Sequence, residues 1–157
     1  MARLTIEQCV ELGVDFPCDV SDSGEHRFRC LDTINGCGYI LTRASKNGGW
    51  YKSHSHVRLT ETFIIQKGWL GLATIDLSQA VKSVQINTYK AGDIVTVRPN
   101  VAHNVYIPAD CILLAIKHGN CSLPNDWVAC PDLDGATKNI DESQIFQRQN
   151  EVWNISL

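Results

Sequence analysis

Short runs of alternating apolar and polar residues, separated by turn residues, fill the middle of the chain. In one such run Val84 and Ile86 alternate with polar neighbours, and a turn follows at Gly92. Alternation with a period of two is typical of strands that bury one face. The pattern predicts strands at residues 25–32, 37–45, around 54–56, 62–67, 69–76, 81–90, 94–97, 102–107 and 111–118. Asn35-Gly36 predicts a hairpin between the first two, and the whole series predicts an all-β sandwich or barrel.

The two ends of the chain have a different pattern. Thr5, with Gln8 three residues later, predicts a short capped helix near the N-terminus. Residues 120–135 hold two prolines and predict an irregular segment packed over the barrel; residues 140–148 predict one or two helical turns, and residues 151–157 a final strand or tail. We therefore divide the chain into an N-terminal appendage (1–24), a barrel (25–118) and a C-terminal extension (119–157).

Composition narrows the class of protein. The chain has 157 residues, of which 44% are hydrophobic and 20% charged, as expected for one globular domain. Its net charge of -3 gives no electrostatic case for nucleic-acid binding. No apolar run approaches the roughly 20 residues that span a bilayer, and the N-terminus lacks a signal-peptide core, so we expect no membrane association and a cytoplasmic location. The seven cysteines form no C-x-x-C pair, which predicts free thiols.

The candidate chemistry lies in residues 48–68. His54 and His56 are two positions apart, so an extended strand places both imidazoles on one face, where they can bind one metal ion. Glu61 is five positions beyond His56, and an unbroken strand would point it to the other face. We therefore predict a turn over residues 57–60, after which Glu61 opens a second strand and its carboxylate returns toward the histidines.

The spacing of these residues resembles the first signature motif of the cupin superfamily. The match holds in every fixed position of that motif. Gly48 is followed after five residues by His54-x-His56, then after four residues by Glu61, and then after six residues by Gly68. The resemblance covers about residues 35–118.

A second, degenerate cupin motif follows downstream. It keeps Gly92 and His103 at the family spacing. It departs at Arg98, where the family usually has proline, at Asn100, which replaces a turn glycine, and at Ile107, which replaces the usual asparagine. Asparagine is a sensible replacement because it tolerates the left-handed backbone conformation.

The resemblance implies a fold and a set of ligands. The implied fold is a double-stranded β-helix, or jelly-roll, cupin barrel, which we expect to form a homodimer by pairing its sheets. The implied ligands of a divalent transition metal are His54, His56, Glu61 and His103. A cupin that has lost its metal usually breaks the motif, whereas all four positions are intact here. With no thiolate among the ligands, Fe, Mn, Ni, Co and Zn all stay open.

Three functions are compatible with this resemblance, each using a small-molecule substrate or ligand. The preferred one is a metal-dependent isomerase or epimerase acting on a sugar or sugar phosphate. The alternatives are a mononuclear non-haem iron dioxygenase and a non-catalytic cupin that binds a small molecule. Isomerisation needs a base, for which the candidates are Lys52, Tyr106 or a hydroxide on the metal.

Strand parity assigns faces to the residues around the expected ligands. Lys52 and Trp50 share the parity of the two histidines, so Lys52 either presents a cation to the substrate or lies in solvent at the barrel mouth. Val105 and Ile107 share the parity of His103 and are predicted to line the interior.

Overall fold

A computed structural model of the chain describes residues 5–11, 19–20, 24–32, 37–119 and 125–155. These ranges contain three short helices and thirteen strands. In chain order they are α1 (Ile6–Glu11), β1 (Asp19–Val20), β2 (His26–Asp32), β3 (Cys37–Arg43), β4 (Gly49–Trp50), β5 (His54–His56), β6 (Thr60–Lys67), β7 (Trp69–Asp76), β8 (Ser83–Lys90), β9 (Ile94–Val97), β10 (Val101–Ile107), β11 (Ile112–His118), β12 (Trp127–Ala129), α2 (Pro131–Thr137), α3 (Glu142–Gln147) and β13 (Val152–Asn154).

The strands form two antiparallel sheets, which confirms the predicted all-β fold class. The first sheet has the order β1-β2-β3-β11-β6-β9, and the second has the order β12-β5-β10-β7-β8-β13, with β4 also paired to β10. Neighbours such as β6 and β11, or β5 and β10, are far apart in the chain. This interleaving of distant strands produces the jelly roll and places residues of both cupin motifs side by side.

Two apolar cores hold these layers together. The first lies between the sheets and includes Phe63 and Leu72. The second lies between the outer face of the second sheet and the C-terminal helices, and includes Ile75, Leu133 and Ile145. Strand β7 is buried on both faces, which explains why its sequence is almost continuously apolar rather than alternating.

The predicted turn between the histidines and Glu61 is confirmed. Strand β5 ends at His56 and β6 begins at Thr60, so over residues 57–59 the chain turns from the second sheet into the first. The backbone N–H of Arg58 in this turn donates to Asp126 Oδ1 at 2.8 Å. Glu61 then has the parity of the core residue Phe63 and lies on the inner face of its sheet.

The strand before the histidines contains one extra residue, and this overturns the predicted position of Trp50. Trp50 pairs with Tyr106, and His54 pairs with His103. The four residue steps from Trp50 to His54 therefore lie opposite three residue steps on β10, as in a β-bulge. The extra residue puts Trp50 on the opposite face of the sheet from His54. Trp50 packs on the outer side of the sheet, where its indole N–H donates to the carbonyl of Ile140 at 2.8 Å.

The C-terminal segment has more regular structure than its composition predicts. Residues 120–135, predicted as irregular, contribute β12 and the start of α2. Pro131 begins the helix, where a missing N–H costs nothing. The predicted helical turns appear as α3, which has a capping box between Asp141 and Gln144, and the final strand appears as β13. The division of the chain at residues 24 and 118 stays a prediction.

The N-terminal helix begins as its sequence predicts. The Gln8 N–H donates to Thr5 Oγ1 at 3.2 Å, and the Thr5 N–H donates to Gln8 Oε1 at 2.9 Å. This reciprocal pair satisfies two donors that the start of a helix leaves unbonded. None of the helices in the described part of the chain has the length and apolar character that crossing a membrane requires.

Candidate metal centre

The four residues predicted as metal ligands converge at one point inside the barrel. Glu61 Oε2 lies 3.2 Å from His103 Nε2, 3.5 Å from His56 Nε2 and 3.7 Å from His54 Nε2. One donor atom each from His54, His56 and Glu61 lie within 4.8 Å of one another, and His103 joins this group through its contact with Glu61. The arrangement offers three nitrogens and one carboxylate to a single ion.

The two sheets supply these ligands from opposite sides. His54 and His56 come from β5, and His103 comes from the adjacent β10, where it is the direct partner of His54. Glu61 lies on β6 in the facing sheet. The site therefore forms only when the two sheets pack face to face.

Each histidine is held in one orientation through its other ring nitrogen. The Nδ1 atoms face oxygen acceptors as follows: His56 faces Asp126 Oδ2 at 2.7 Å, His54 faces the Lys52 carbonyl at 3.1 Å, and His103 faces the Val101 carbonyl at 3.3 Å. An acceptor at Nδ1 favours the tautomer that carries its proton there. In His54 and His56 the Nε2 lone pair is then directed at Glu61, as metal ligation requires.

Burial and charge set the protonation states that a metal needs. Burial alone would raise the pKa of the Glu61 carboxyl, but the hydrogen bond from His103 and the charge of Lys117 hold it well below its ordinary value. Burial lowers the pKa of His103, more than the nearby carboxylate raises it. Glu61 is therefore ionised and His103 is neutral near pH 7, which are the forms that bind metal.

Lys117 is a member of the site that sequence reasoning missed. It lies on β11 directly opposite Glu61, with Nζ 3.7 Å from Glu61 Oε1 and 3.3 Å from His56 Nε2. Its side chain is only 14% exposed. The signal was present, because Lys117 continues the inward-facing positions Leu113 and Ala115.

Asp126 is a second residue that was missed. Its carboxylate is buried and binds both His56 Nδ1 and the N–H of Arg58, so it ties the ligand strand to the following turn. Asp126 is 70 positions away from His56, and no local pattern distinguishes it from a surface aspartate. Trp127, the next residue, stacks on the His54 ring with 5.3 Å between centroids and is 49% exposed at the edge of the site.

The two residues predicted as bases lie outside this cluster. The side chain of Lys52 is exposed, and the residue contacts the site through its backbone carbonyl. Tyr106 lies on the outer face of β10, because three positions separate it from His103. Its hydroxyl donates to Glu142 at 3.1 Å, and burial together with Glu142 raises the pKa of Tyr106 to about 12. The hydroxyl of Tyr106 therefore lies away from the ligands, and its role as a base stays a prediction.

A cavity of about 250 Å³ lies beside the ligand strands. Its wall includes Thr74, the strand partner of His103, and Val97, the strand partner of Glu61. Asn87, Tyr89 and Arg98 add polar groups to the lining. Val105 and Ile107 pack in the core between the sheets, which confirms their predicted inward orientation. The interior thus combines apolar walls with a few polar groups, as small-molecule sites do.

Comparison with known proteins identifies the fold. No protein-family model matches the chain, and no curated protein sequence matches it. Among solved structures, a protein from Klebsiella pneumoniae with a double-stranded β-helix domain superposes with a TM-score of 0.54 at 17% identity, over 83% of this chain and 98% of its own. KdgF from Halomonas sp. superposes with a TM-score of 0.50 at 11% identity, over 64% of this chain and 83% of its own.

Oxalate oxidase is a third structural neighbour. One structure has a TM-score of 0.55 at 16% identity, over 81% of this chain and 66% of that chain. A structure of oxalate oxidase with glycolate has a TM-score of 0.52, and this match spans only 53% of that chain. Identities this low show a shared fold. The chain has a double-stranded β-helix fold, which is the fold that the resemblance of its first motif implies.

Proposed function

We propose that this cupin is a metal-dependent enzyme that acts on a small polar molecule. His54, His56, Glu61 and His103 would hold one divalent transition metal ion, which supplies Lewis-acid or redox chemistry when bound. The observation that carries the proposal is the convergence of three imidazole Nε2 atoms on one carboxylate oxygen, at 3.2 to 3.7 Å.

The donor set is hard to explain without a cation. A neutral imidazole has a single N–H, and in His54 and His56 the acceptor at Nδ1 favours its placement there. Their Nε2 lone pairs then face an ionised Glu61 in a buried site, which is unfavourable unless positive charge lies between them. Lys117 Nζ lies 3.3 Å from the Nε2 of His56, whereas the lone pair of His54 still needs a cation. A metal ion satisfies all four donors at once.

The positions of the predicted bases bear on the type of reaction. Sugar or sugar-phosphate isomerisation moves a proton between neighbouring carbons and needs a group to carry it. Lys52 is exposed and Tyr106 lies on the opposite face of its strand. A mononuclear non-haem iron dioxygenase needs no such group, so this arrangement favours the dioxygenase.

Isomerase chemistry stays as the second candidate because of Lys117. Its amine lies 3.7 Å from Glu61. Among the described residues, Lys117 is the one whose side-chain amine contacts the ligands. A lysine in this position could carry a proton for an isomerase, which neither Lys52 nor Tyr106 is placed to do.

The first test is the metal content of protein purified without chelator or affinity metal. We expect about one transition-metal ion per chain in the wild type and loss of that ion in His54→Ala and His103→Ala. His26→Ala is the matched control, because His26 is an exposed histidine on β2 and should leave the metal content unchanged.

The identity of the metal directs the next experiment. Iron would lead to oxygen-consumption assays with small polar substrates. Zinc, manganese or nickel would favour the isomerase. Wild-type protein that is folded, contains no metal and takes up none on reconstitution would contradict the proposal and leave a small-molecule-binding cupin.

A further inference from the structure

We infer that Lys117 makes the site selective for an anionic ligand, namely a small carboxylate. This inference rests on the proposed function, because the bound metal is part of the charge balance. It assigns a substrate class to the site and a positioning role to a residue outside both cupin motifs.

The first step is the burial of the ammonium group. The Lys117 side chain is 14% exposed, and it projects from β11 into the space between the sheets, level with Glu61. A buried ammonium is stable only when acceptors, preferably anionic ones, surround it. Lys117 has two such neighbours in the structure: Glu61 Oε1 at 3.7 Å and His56 Nε2 at 3.3 Å.

The second step is a competition for His56. Because Asp126 accepts at Nδ1, His56 has one lone pair, at Nε2, and Lys117 faces that lone pair. A metal ion held by the four ligands uses the same lone pair. The Lys117 ammonium then keeps its contact with Glu61 but loses its contact with His56. It needs a further acceptor, which a ligand bound beside the metal can provide.

The third step is the net charge of the loaded site. Glu61 and Asp126 contribute one negative charge each, and Lys117 contributes one positive charge. With a divalent ion, one positive charge is left in excess within a buried site. One monoanion neutralises it, whereas a neutral sugar does not.

The test compares two ligands of the same shape and different charge. Protein loaded with Co²⁺ is titrated with glycolate and with glycolamide, its neutral isostere, and binding is followed by the visible absorption of the ion. The wild type should prefer glycolate. Lys117→Met should weaken glycolate binding about tenfold to a hundredfold, the range for losing a charge-assisted hydrogen bond, and leave glycolamide binding unchanged.

Two further variants separate charge from structure. Lys117→Arg keeps the positive charge and should retain most of the preference for glycolate. Lys67→Met removes an exposed lysine from the end of β6 and should behave as the wild type. The Co²⁺ content of every variant is measured alongside.

Four results would overturn the inference. If Lys117→Met binds Co²⁺ fully and glycolate as tightly as the wild type, Lys117 serves only as a partner of Glu61. If Lys117→Met loses Co²⁺, Lys117 supports the ligand set and not the substrate. If the wild type binds Co²⁺ but does not discriminate between the two ligands, the inference fails while the proposed function stands. Failure of the wild type to bind Co²⁺ would remove both.

Discussion

At the scale of single residues, the three histidines differ in what holds their second nitrogen. In the described structure His56 faces the carboxylate of Asp126 at 2.7 Å, whereas His54 and His103 face backbone carbonyls at 3.1 and 3.3 Å. A carboxylate is the stronger acceptor, so it increases the basicity of the opposite nitrogen and fixes the ring more firmly. We therefore expect the affinity of the proposed metal site to depend on Asp126, a residue outside the two motifs.

We expect Asp126→Asn to lower metal affinity by about tenfold to a hundredfold. The asparagine Oδ1 can still accept from the Arg58 N–H, but its amide group places a donor against His56 Nδ1 and favours the wrong tautomer. Competition against a chromophoric chelator measures the affinity. Asp110→Asn is the control, because it removes the same negative charge from an exposed position. Equal metal affinity in the two variants would show that Asp126 does not orient His56.

At the scale of elements, a close approach of two backbones fixes the strand that leads to the histidines. Gly48, the first residue of the first motif, has a φ of 60°. A Cβ atom there would lie 2.9 Å from Ala109 N and 3.0 Å from both Ile107 O and Pro108 Cα. Glycine is needed at position 48 because of this positive φ and because the neighbouring backbone leaves no room for a Cβ atom. The close approach sets the register of β4 against β10.

Gly48→Ala should therefore lower the free energy of unfolding by about 2–4 kcal/mol, from backbone strain and steric overlap together. Urea denaturation measures the change. Gly135→Ala in α2 is a matched control, because a Cβ there meets nothing within 4 Å. That variant should gain about 0.5–1 kcal/mol from helix propensity. A Gly48→Ala protein as stable as the wild type would show that the loop can move away from the 107–109 backbone.

At the scale of the whole molecule, the outer face of the first sheet is apolar. Its apolar outward positions are Tyr39, Leu41, Ile64, Ile94, Ile112, Leu114 and Ile116, and the hydroxyls of Thr62 and Thr96 lie on the same face. Tyr39 is 47% exposed and Ile94 is 64% exposed. A largely apolar sheet face of this kind is typical of a surface that pairs with another copy. The homodimer expected from the sequence stays a prediction, and this face is where we expect it to form.

We predict that Leu114→Lys shifts the protein from dimer to monomer, because it places a charge at the centre of this face. Light scattering at micromolar concentration measures the mass, and circular dichroism checks that the variant is folded. Val81→Lys replaces a residue that is 62% exposed outside the face, and it should stay dimeric. A wild type that is monomeric under these conditions would rule out the homodimer.

The parts of the fold and site that the sequence predicts are those set by local periodicity. The spacing of His54, His56 and Glu61 required a turn over residues 57–60, and the structure has it. The prediction failed at Trp50, because the extra residue between β4 and β5 is visible only in the pairing with β10. Parity is reliable within one uninterrupted strand and is lost at a bulge.

The sequence by itself determined the strand series, the first motif and the types of side chain that can bind a metal. These follow from the period of two in an extended chain and from the chemistry of imidazole and carboxylate groups. Only the tertiary structure brought Lys117 and Asp126 to the ligands. The physical reason is that contacts between β5, β6, β11 and β12 join residues far apart in the chain, and their register is set by packing of the whole barrel.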